Sequence, residues 1–141
     1  MPTLFPCDPR CVAVSCLIVD DSDHFRCAAR ALLEREGIAV VGMASASDEA
    51  LRQIGDSRPD VALVDIDLGE ENGFDVARRL ARVPSEGRPR IIMISTHAEK
   101  DFTDMITASP AVAFLSKSAL SGAAIRDILR KARDEGDLSP A

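Results

Sequence analysis

The sequence predicts an α/β fold in which a doubly wound, five-stranded parallel sheet is covered by helices on both faces. Five short apolar runs alternate with five segments whose apolar residues recur at helical spacing, and that alternation is typical of a parallel sheet with crossover helices. The apolar runs are continuous stretches of Val, Ile and Leu, as expected of strands buried on both faces. The chain has 141 residues, 46% of them hydrophobic and 28% charged, which suits one globular domain with a substantial core.

The strands are predicted where β-branched and aliphatic residues cluster between turn signals. Pro59 precedes the third strand, and the fifth strand begins directly after Pro110. In chain order, the predicted strands are 14–20, 38–43, 61–65, 90–95 and 111–115.

The helices are predicted from their apolar spacing and from their start and stop residues. Gly37 ends the first helix, Ser47 or Asp48 caps the second, and Asn72 starts the third. Ser109 and Pro110 end the fourth helix, because the residue before a proline is disfavoured in a helix. The first, fourth and fifth helices are predicted at 23–35, 97–108 and 119–132.

These elements place a single domain at residues 13–133. Residues 1–12 contain three prolines and no periodicity, so we expect a flexible leader. Residues 134–141 are polar, and we expect a frayed tail.

Composition and charge argue against several classes of protein. The formal net charge is -6 and the pI is about 4.9, which argues against direct binding of nucleic acid by this chain. No apolar run reaches membrane length, and the start lacks the basic region of a secretory signal, so we expect a cytoplasmic protein. The four cysteines have neither CxxC nor zinc-finger spacing, which favours reduced thiols. They are Cys7, Cys11, Cys16 and Cys27.

Chemically active side chains follow four of the five predicted strands. The first strand ends in Asp20 and Asp21, and the third ends in Asp65 with Asp67 two residues later. The fourth ends in Ser95 and Thr96, and Lys117 follows the fifth. Each residue alone has an ordinary explanation, such as helix capping by the two acids of the first strand. Because parallel strands end at one edge of the sheet, we expect the four groups to meet there.

Their chemistry suits a metal-assisted reaction of a phosphoryl group. Neighbouring carboxylates repel one another unless a cation lies between them, and oxygen ligands suit Mg²⁺ or Mn²⁺. A lysine and a hydroxyl would bind further phosphoryl oxygens. A carboxylate at the same place can act as the nucleophile and form an aspartyl phosphate.

Four segments together resemble the receiver domain of two-component response regulators. They are CLIVDDSDHF, VALVDIDLGEENGFD, IIMIST and AFLSKS, and the likeness covers about residues 14–133. The resemblance implies a flavodoxin-like (βα)5 fold with strand order 2-1-3-4-5. ALLEREGIAVVGMAS and DLGEENGFDVARRL are similar to receivers that precede a helix-turn-helix DNA-binding domain, so either a stand-alone regulator or part of a transcription factor is expected.

The resemblance also implies residue roles. Asp65 would be the phosphoacceptor, and Lys117 would pair with the phosphoryl oxygens. Asp20, Asp21 and Asp65, with the backbone carbonyl of Asp67, would hold Mg²⁺ or Mn²⁺. Asp21 would be the more direct ligand of the acidic pair.

The switch residues are also implied by the resemblance. Ser95 would be the hydroxyl that moves towards the phosphoryl group. Phe114 would be the aromatic residue that turns inward, so that the face of the fourth helix, fifth strand and fifth helix changes its partner preference. The residues themselves predict at least a core position for Phe114.

Several positions depart from the family pattern. Gly69 and Ser118 stand where many members have proline, which leaves open whether the Lys117–Ser118 bond is cis. Thr96 replaces a smaller residue beside the pocket, and Asp67 and His97 occupy positions that tune dephosphorylation in the family. The Glu70–Glu71 pair is expected to be a solvated loop that favours the start of the third helix.

The expected partner is a histidine kinase or a phosphotransfer protein, and homodimerisation through the same switching face is plausible for the family. Two alternatives remain open at this point. One is a receiver fold used only for docking. The other is a phosphatase of the haloacid-dehalogenase type, because Asp65-Ile66-Asp67 resembles its DxD motif; that motif normally lies on the first strand.

Overall fold

A computed structural model describes residues 14–69, 71–84, 88–96 and 103–138, and its central feature is a parallel sheet of five strands. The sheet strands are β1 Ser15–Val19, β2 Ala39–Ala44, β3 Val61–Asp65, β4 Arg90–Ser95 and β5 Ala113–Ser116. The α-helices are α1 Asp23–Arg35, α2 Ser47–Ser57, α3 Gly73–Leu80, α4 Thr103–Ala108 and α5 Gly122–Leu138.

The order of strands across the sheet is β2-β1-β3-β4-β5, and all neighbours are parallel. This confirms the predicted order 2-1-3-4-5. The chain moves outward in one direction from β1 to β2 and in the other direction from β3 onward. The change of direction leaves a crevice at the carboxyl ends of β1 and β3, which is where open α/β sheets bind ligands.

Alternate residues of the central strands feed two separate cores, one on each face of the sheet. On one face, Leu17 and Val64 pack with α2 and α3. On the other face, Ile18 and Leu63 pack with α1 and α5. β3 is buried along its whole length, so its final residue, Asp65, is carried into the interior. The doubly wound architecture predicted from the continuous apolar runs is therefore present.

The first helix begins and ends as local chemistry requires, with one change from expectation. Ser22, rather than an aspartate, caps α1, and its hydroxyl accepts from the Phe25 N–H at 3.2 Å. Gly37 follows the helix with φ of +87°, a backbone conformation that glycine adopts at low cost. The Asp20–Asp21 pair is thus left for another purpose.

The second helix corrects the predicted cap. Ser47 is already the first helical residue, and the N-cap position belongs to Ala46, whose side chain makes no capping bond. Instead, the Glu71 carboxylate accepts from the Ser47 N–H at 2.9 Å and from its hydroxyl at 2.6 Å. A residue 24 positions away in sequence therefore satisfies the helix start, which local sequence reasoning does not reveal. The expectation that Glu71 lies in a solvated loop was wrong.

The last part of the chain is more helical than predicted. A short 3₁₀ helix, Lys117–Ala119, follows β5, and α5 continues to Leu138 beyond the predicted boundary at residue 133. Pro140 is the first proline after the start of α5, so nothing before it forces the helix to end. Among the described residues no peptide bond is cis, so the Lys117–Ser118 bond is trans.

The described residues include two of the four cysteines. Cys16 is buried and Cys27 is exposed, and both are free thiols, as expected. Burial raises the pKa of the Cys16 thiol to about 12. The predicted leader and Cys7 and Cys11 lie outside the described residues. In the described part of the chain, no helix is both long and apolar enough to cross a bilayer.

Candidate functional site

The carboxyl ends of four strands surround one polar cavity of about 290 Å³. The residues predicted from the strand ends line it together, although they lie up to 97 positions apart in the sequence. Its lining comprises Asp20, Asp21, Ser22, Asp65, Asp67, Gly69, Ser95, Thr96 and Lys117.

Three carboxylates form the acidic side of the cavity. One oxygen from each of Asp20, Asp21 and Asp65 lies within 4.8 Å of the other two. Asp20 and Asp65 are buried, whereas Asp21 is exposed. Charges this close in a partly dehydrated site repel strongly, so the arrangement favours a bound cation.

The surroundings of Asp65 disfavour the ionised form of its carboxyl group. Its Oδ1 accepts a hydrogen bond from the Asp67 N–H at 3.2 Å, and its Oδ2 lies 3.4 Å from Lys117 Nζ. Burial, followed by the charge of Asp20, raises the pKa of Asp65 to about 6, although Lys117 and the Asp67 N–H act in the opposite direction. At neutral pH the group is mainly ionised, as the role predicted for it requires.

Lys117 is the cation of the site and lies between two acids. Its Nζ is 2.7 Å from Asp20 Oδ2 and 3.4 Å from Asp65 Oδ2. Burial lowers the pKa of Lys117, but the close contact with the Asp20 carboxylate and the charges of Asp65 and Asp20 outweigh burial, so the pKa is raised. The lysine therefore stays protonated at neutral pH.

The two carboxylate oxygens of Asp20 have different partners. Oδ1 accepts from the Ser22 N–H at 2.8 Å, which links the acid to the start of α1. Oδ2 is buried and makes no hydrogen bond of normal geometry within the described part of the chain, despite its short contact with Lys117 Nζ. We treat that contact as an ion pair, because charge attraction depends mainly on distance rather than on angle.

These acids fit a divalent metal ion. Oxygen-only donors, one of them an exposed carboxylate that leaves room for water, are the ligands that Mg²⁺ and Mn²⁺ prefer. Within the described residues Asp20 Oδ2 is buried without a hydrogen bond of normal geometry, so one of the three acids has an oxygen that a cation would satisfy. The cavity thus has the donors that the predicted metal requires.

The loop after β3 closes the site through two glycines. Asp67–Leu68 and Glu71–Asn72 pair as a short antiparallel ribbon. A Cβ at Gly73 would lie 2.0 Å from the Asp65 carbonyl oxygen, so only glycine fits there. Gly69 has φ of +72°, and a Cβ there would lie 2.9 Å from Asp21 Oδ2. Glycine at 69 therefore provides both the turn and the space for the Asp21 carboxylate.

The remaining predicted site residues are unequally placed. Ser95 is buried at the end of β4 and lines the cavity, and exposed Thr96 lines its rim. Phe114 is partly buried and packs against the core formed with α2 and α3, so it is a core residue as predicted. His97 lies outside the described residues.

Two contributors to the site were not predicted. Ser22 lines the cavity as well as capping α1, and its position directly after the acidic pair was the available signal. Phe25 places its ring under the Lys117 ammonium, 4.2 Å from Nζ to the ring centroid. The two residues are 92 positions apart, so no local pattern could have paired them.

A family model described as the response regulator receiver domain matches residues 16–131. The chain belongs to that family and is a receiver domain of the two-component type. This membership excludes the haloacid-dehalogenase alternative as the class of the protein.

Individual relatives agree with the family model. The response regulator UvrY of Escherichia coli (strain K12) is 33% identical over 107 residues, which are 75% of this chain and 48% of UvrY. The response regulator GacA of Pseudomonas aeruginosa is 28% identical over 75% of this chain and 49% of GacA. The chain therefore spans about half the length of the curated relatives it matches.

Solved structures show the same fold. A two-component response regulator of the LuxR family from Aurantimonas sp. SI85-9A1 superposes with a TM-score of 0.73 at 28% identity, covering 85% of this chain and 87% of that one. The signal receiver domain of the response regulator NarL from Mycobacterium tuberculosis gives 0.66 at 27% identity, covering 90% and 98%.

Proposed function

We propose that Asp65 is the phosphoacceptor of this receiver, and that phosphorylation requires a divalent metal held beside it. The main support for this proposal is the cluster of charged groups at the β1–β3 crevice. There, oxygens of three aspartates lie within 4.8 Å of one another, and Lys117 Nζ lies 3.4 Å from Asp65 Oδ2. Such a cluster is costly to the fold without a charged ligand, so a functional reason for it is required.

In the proposed reaction, one carboxylate oxygen of Asp65 attacks phosphorus. The bond from phosphorus to the donor breaks, and the donor atom leaves with that bond's electron pair. The product is an aspartyl phosphate. Asp65 needs no general base, because its carboxyl group is mainly ionised at neutral pH even with its pKa raised to about 6.

Asp20, Asp21 and Asp65 would hold Mg²⁺ or Mn²⁺ through carboxylate oxygens, together with the backbone carbonyl of Asp67. When bound, the ion would supply positive charge that offsets the carboxylates and the negative charge on the phosphoryl oxygens. The ammonium of Lys117 would bind a phosphoryl oxygen. Both partners neutralise charge without taking part in proton transfer.

The response to phosphorylation is proposed to pass through Ser95 and Phe114. Ser95 ends β4 inside the cavity, and its hydroxyl would move to bond a phosphoryl oxygen. Phe114 lies on the neighbouring strand β5 and is only partly buried, so an inward turn would bury more of its ring. The surface formed by α4, β5 and α5 would then change its preferred partners, which include a second copy of the chain.

The lifetime of the phosphorylated form is proposed to depend on the rim of the cavity. Asp67 is exposed there and could orient water, and the bulk of Thr96 would limit access. His97 is included from the sequence alone. Phosphoprotein lifetimes of Asp67→Ala and His97→Ala equal to that of the original chain would remove both residues from this proposal.

The partner that supplies the phosphoryl group would be a histidine kinase or a phosphotransfer protein in the cytoplasm. The relatives are response regulators about twice as long as the matched region. A role in regulating transcription, through a DNA-binding domain elsewhere in a longer protein, is therefore proposed. The net charge of -6 argues that this chain does not itself hold DNA.

The test is the intact mass of the chain after incubation with acetyl phosphate, with and without Mg²⁺. The proposal predicts one added phosphoryl group that requires Mg²⁺ and that is lost in Asp65→Asn. Absence of an adduct, combined with failure to bind beryllium fluoride, would instead establish a docking-only receiver. Beryllium fluoride binding without an adduct would indicate rapid loss of the phosphoryl group. Sustained turnover of p-nitrophenyl phosphate would contradict a receiver.

A further inference from the structure

The ammonium of Lys117 rests on an aromatic ring as well as between two acids. Its Nζ lies 4.2 Å from the centroid of the Phe25 ring. Only 17% of the Lys117 side chain is exposed. A cation at this distance from an aromatic face is attracted by the electron density of the ring, more strongly when it is shielded from water.

The position of Phe25 is set by the same elements that build the site. Its N–H donates to the hydroxyl of Ser22, the cap of α1, and Ser22 in turn donates its N–H to Asp20 Oδ1. The ring is partly buried against the core beneath α1 and α5. Asp20 and Phe25 are thus fixed relative to each other, and Lys117 reaches both from the end of β5.

The ring differs from the other two partners of Lys117 in one useful respect. Asp20 and Asp65 bind the ammonium by charge, and both are also needed for a cation. The ring holds it without adding negative charge to the cluster and without supplying an acceptor that competes with a phosphoryl oxygen. The ring therefore adds no third anionic acceptor to the two carboxylates that already contact the ammonium.

We propose that Phe25 is a positioning residue that holds the Lys117 ammonium at the phosphoryl side of the cavity. The inference rests on the proposed function of Asp65 and Lys117. It assigns Phe25 a part in binding the phosphoryl group and none in binding the metal.

The experiment compares Phe25→Leu, which keeps an apolar side chain on the core, with Phe25→Tyr, which keeps the ring. Mg²⁺ affinity and Mg²⁺-dependent affinity for beryllium fluoride are measured separately. For Phe25→Leu we expect beryllium fluoride binding to weaken about three- to tenfold, the range of a partly shielded cation–π contact, with Mg²⁺ affinity changed less than about twofold. Phe25→Tyr should resemble the original chain. Equal weakening of both affinities would overturn the proposal, because it would indicate a general disturbance of the site.

A double-mutant cycle with Lys117→Met separates positioning from packing. If Phe25 acts through the ammonium, Phe25→Leu has no further effect on beryllium fluoride binding once the ammonium is gone. An undiminished effect would overturn the proposal. Should Phe25→Leu fail to fold, Phe25→Met provides the same comparison with an unbranched side chain.

NMR of the original chain provides a readout that does not depend on phosphoryl binding. The methylene protons next to Lys117 Nζ should be shifted upfield by the ring, and the shift should disappear in Phe25→Leu and persist in Phe25→Tyr. Absence of the upfield shift would refute the contact itself. If the original chain binds no beryllium fluoride while the shift is present, the function proposed for Asp65 fails and the contact stands.

Discussion

Replacing Asp65 with asparagine should stabilise the metal-free protein at neutral pH. The side chain is buried beside Asp20, and its charge is only partly offset by Lys117 and by the Asp67 N–H. Asparagine has nearly the same shape and can still accept from that N–H. It removes the buried charge while Lys117 keeps its 2.7 Å ion pair with Asp20.

The size of the effect follows from the pKa of Asp65, which is raised from 3.8 to about 6. Each tenfold change in proton affinity corresponds to about 1.4 kcal/mol, so the ionised carboxylate costs the folded state about 3 kcal/mol. Burying the asparagine amide also has a cost, so we expect a net gain of about 2 kcal/mol.

The sign of the pH dependence is opposite to that of an ordinary salt-bridged aspartate. The folded protein binds the Asp65 proton more tightly than the unfolded chain does. Its contribution to stability is therefore complete below the unfolded pKa of 3.8 and is lost as the pH rises through about 6. The advantage of Asp65→Asn should accordingly be small near pH 4 and largest at pH 7.

The assay is urea unfolding of both chains in the presence of a chelator, at several pH values between these limits. Mg²⁺ should then reverse the order of stability, because it binds the folded original chain and stabilises it by mass action. A less stable Asp65→Asn at pH 7 without metal, or a stability difference that does not change with pH, would refute the reasoning about Asp65.

Three further predictions concern glycines and the loop after β3. Gly73→Ala should lower the free energy of unfolding by more than about 3 kcal/mol, because the new Cβ would lie 2.0 Å from the Asp65 carbonyl oxygen. The control Gly55→Ala, with no atom within 4 Å of the new Cβ, should stabilise α2 by about 0.5–1 kcal/mol. Equal effects of the two substitutions in urea unfolding would contradict this prediction. Gly69→Ala should weaken Mg²⁺ binding about tenfold in calorimetry, because a Cβ there would lie 2.9 Å from Asp21 Oδ2. An unchanged affinity for Mg²⁺ would argue against Asp21 as a ligand. Glu71→Gln should destabilise the chain by about 1 kcal/mol at pH 7, because hydrogen bonds from Ser47 lower the pKa of Glu71 and so favour its ionised form. This difference in stability should fade as the pH falls through that lowered pKa. A difference that does not depend on pH would rule out stabilisation by the ionised carboxylate.

The sequence was informative wherever one strand determines both fold and chemistry. β3 is apolar up to Val64 and then ends in a carboxylate, so burial and function could be predicted from the same five residues. Polar or charged side chains also follow β1, β4 and β5, and in a parallel sheet the ends of neighbouring strands lie at the same edge. The predicted cavity residues within the described chain accordingly line one site.

What could not be predicted depends on contacts between distant side chains. Glu71 binds Ser47 across 24 positions and replaces the expected local cap of α2. Phe25 meets Lys117 across 92 positions, and its apolar spacing in α1 indicated only a core residue. In both cases one member of the pair has an adequate local explanation, so the sequence contains no signal for the second role.

The most direct test of the central claim is to locate the phosphoryl group on the chain. After reaction with acetyl phosphate and Mg²⁺, borohydride reduces an aspartyl phosphate to homoserine and releases phosphate, and peptide mass spectrometry identifies the altered residue. The account predicts homoserine at position 65 and nowhere else, and none when Mg²⁺ is omitted. Homoserine at Asp20, Asp21 or Asp67, with Asp65 unchanged, would contradict it.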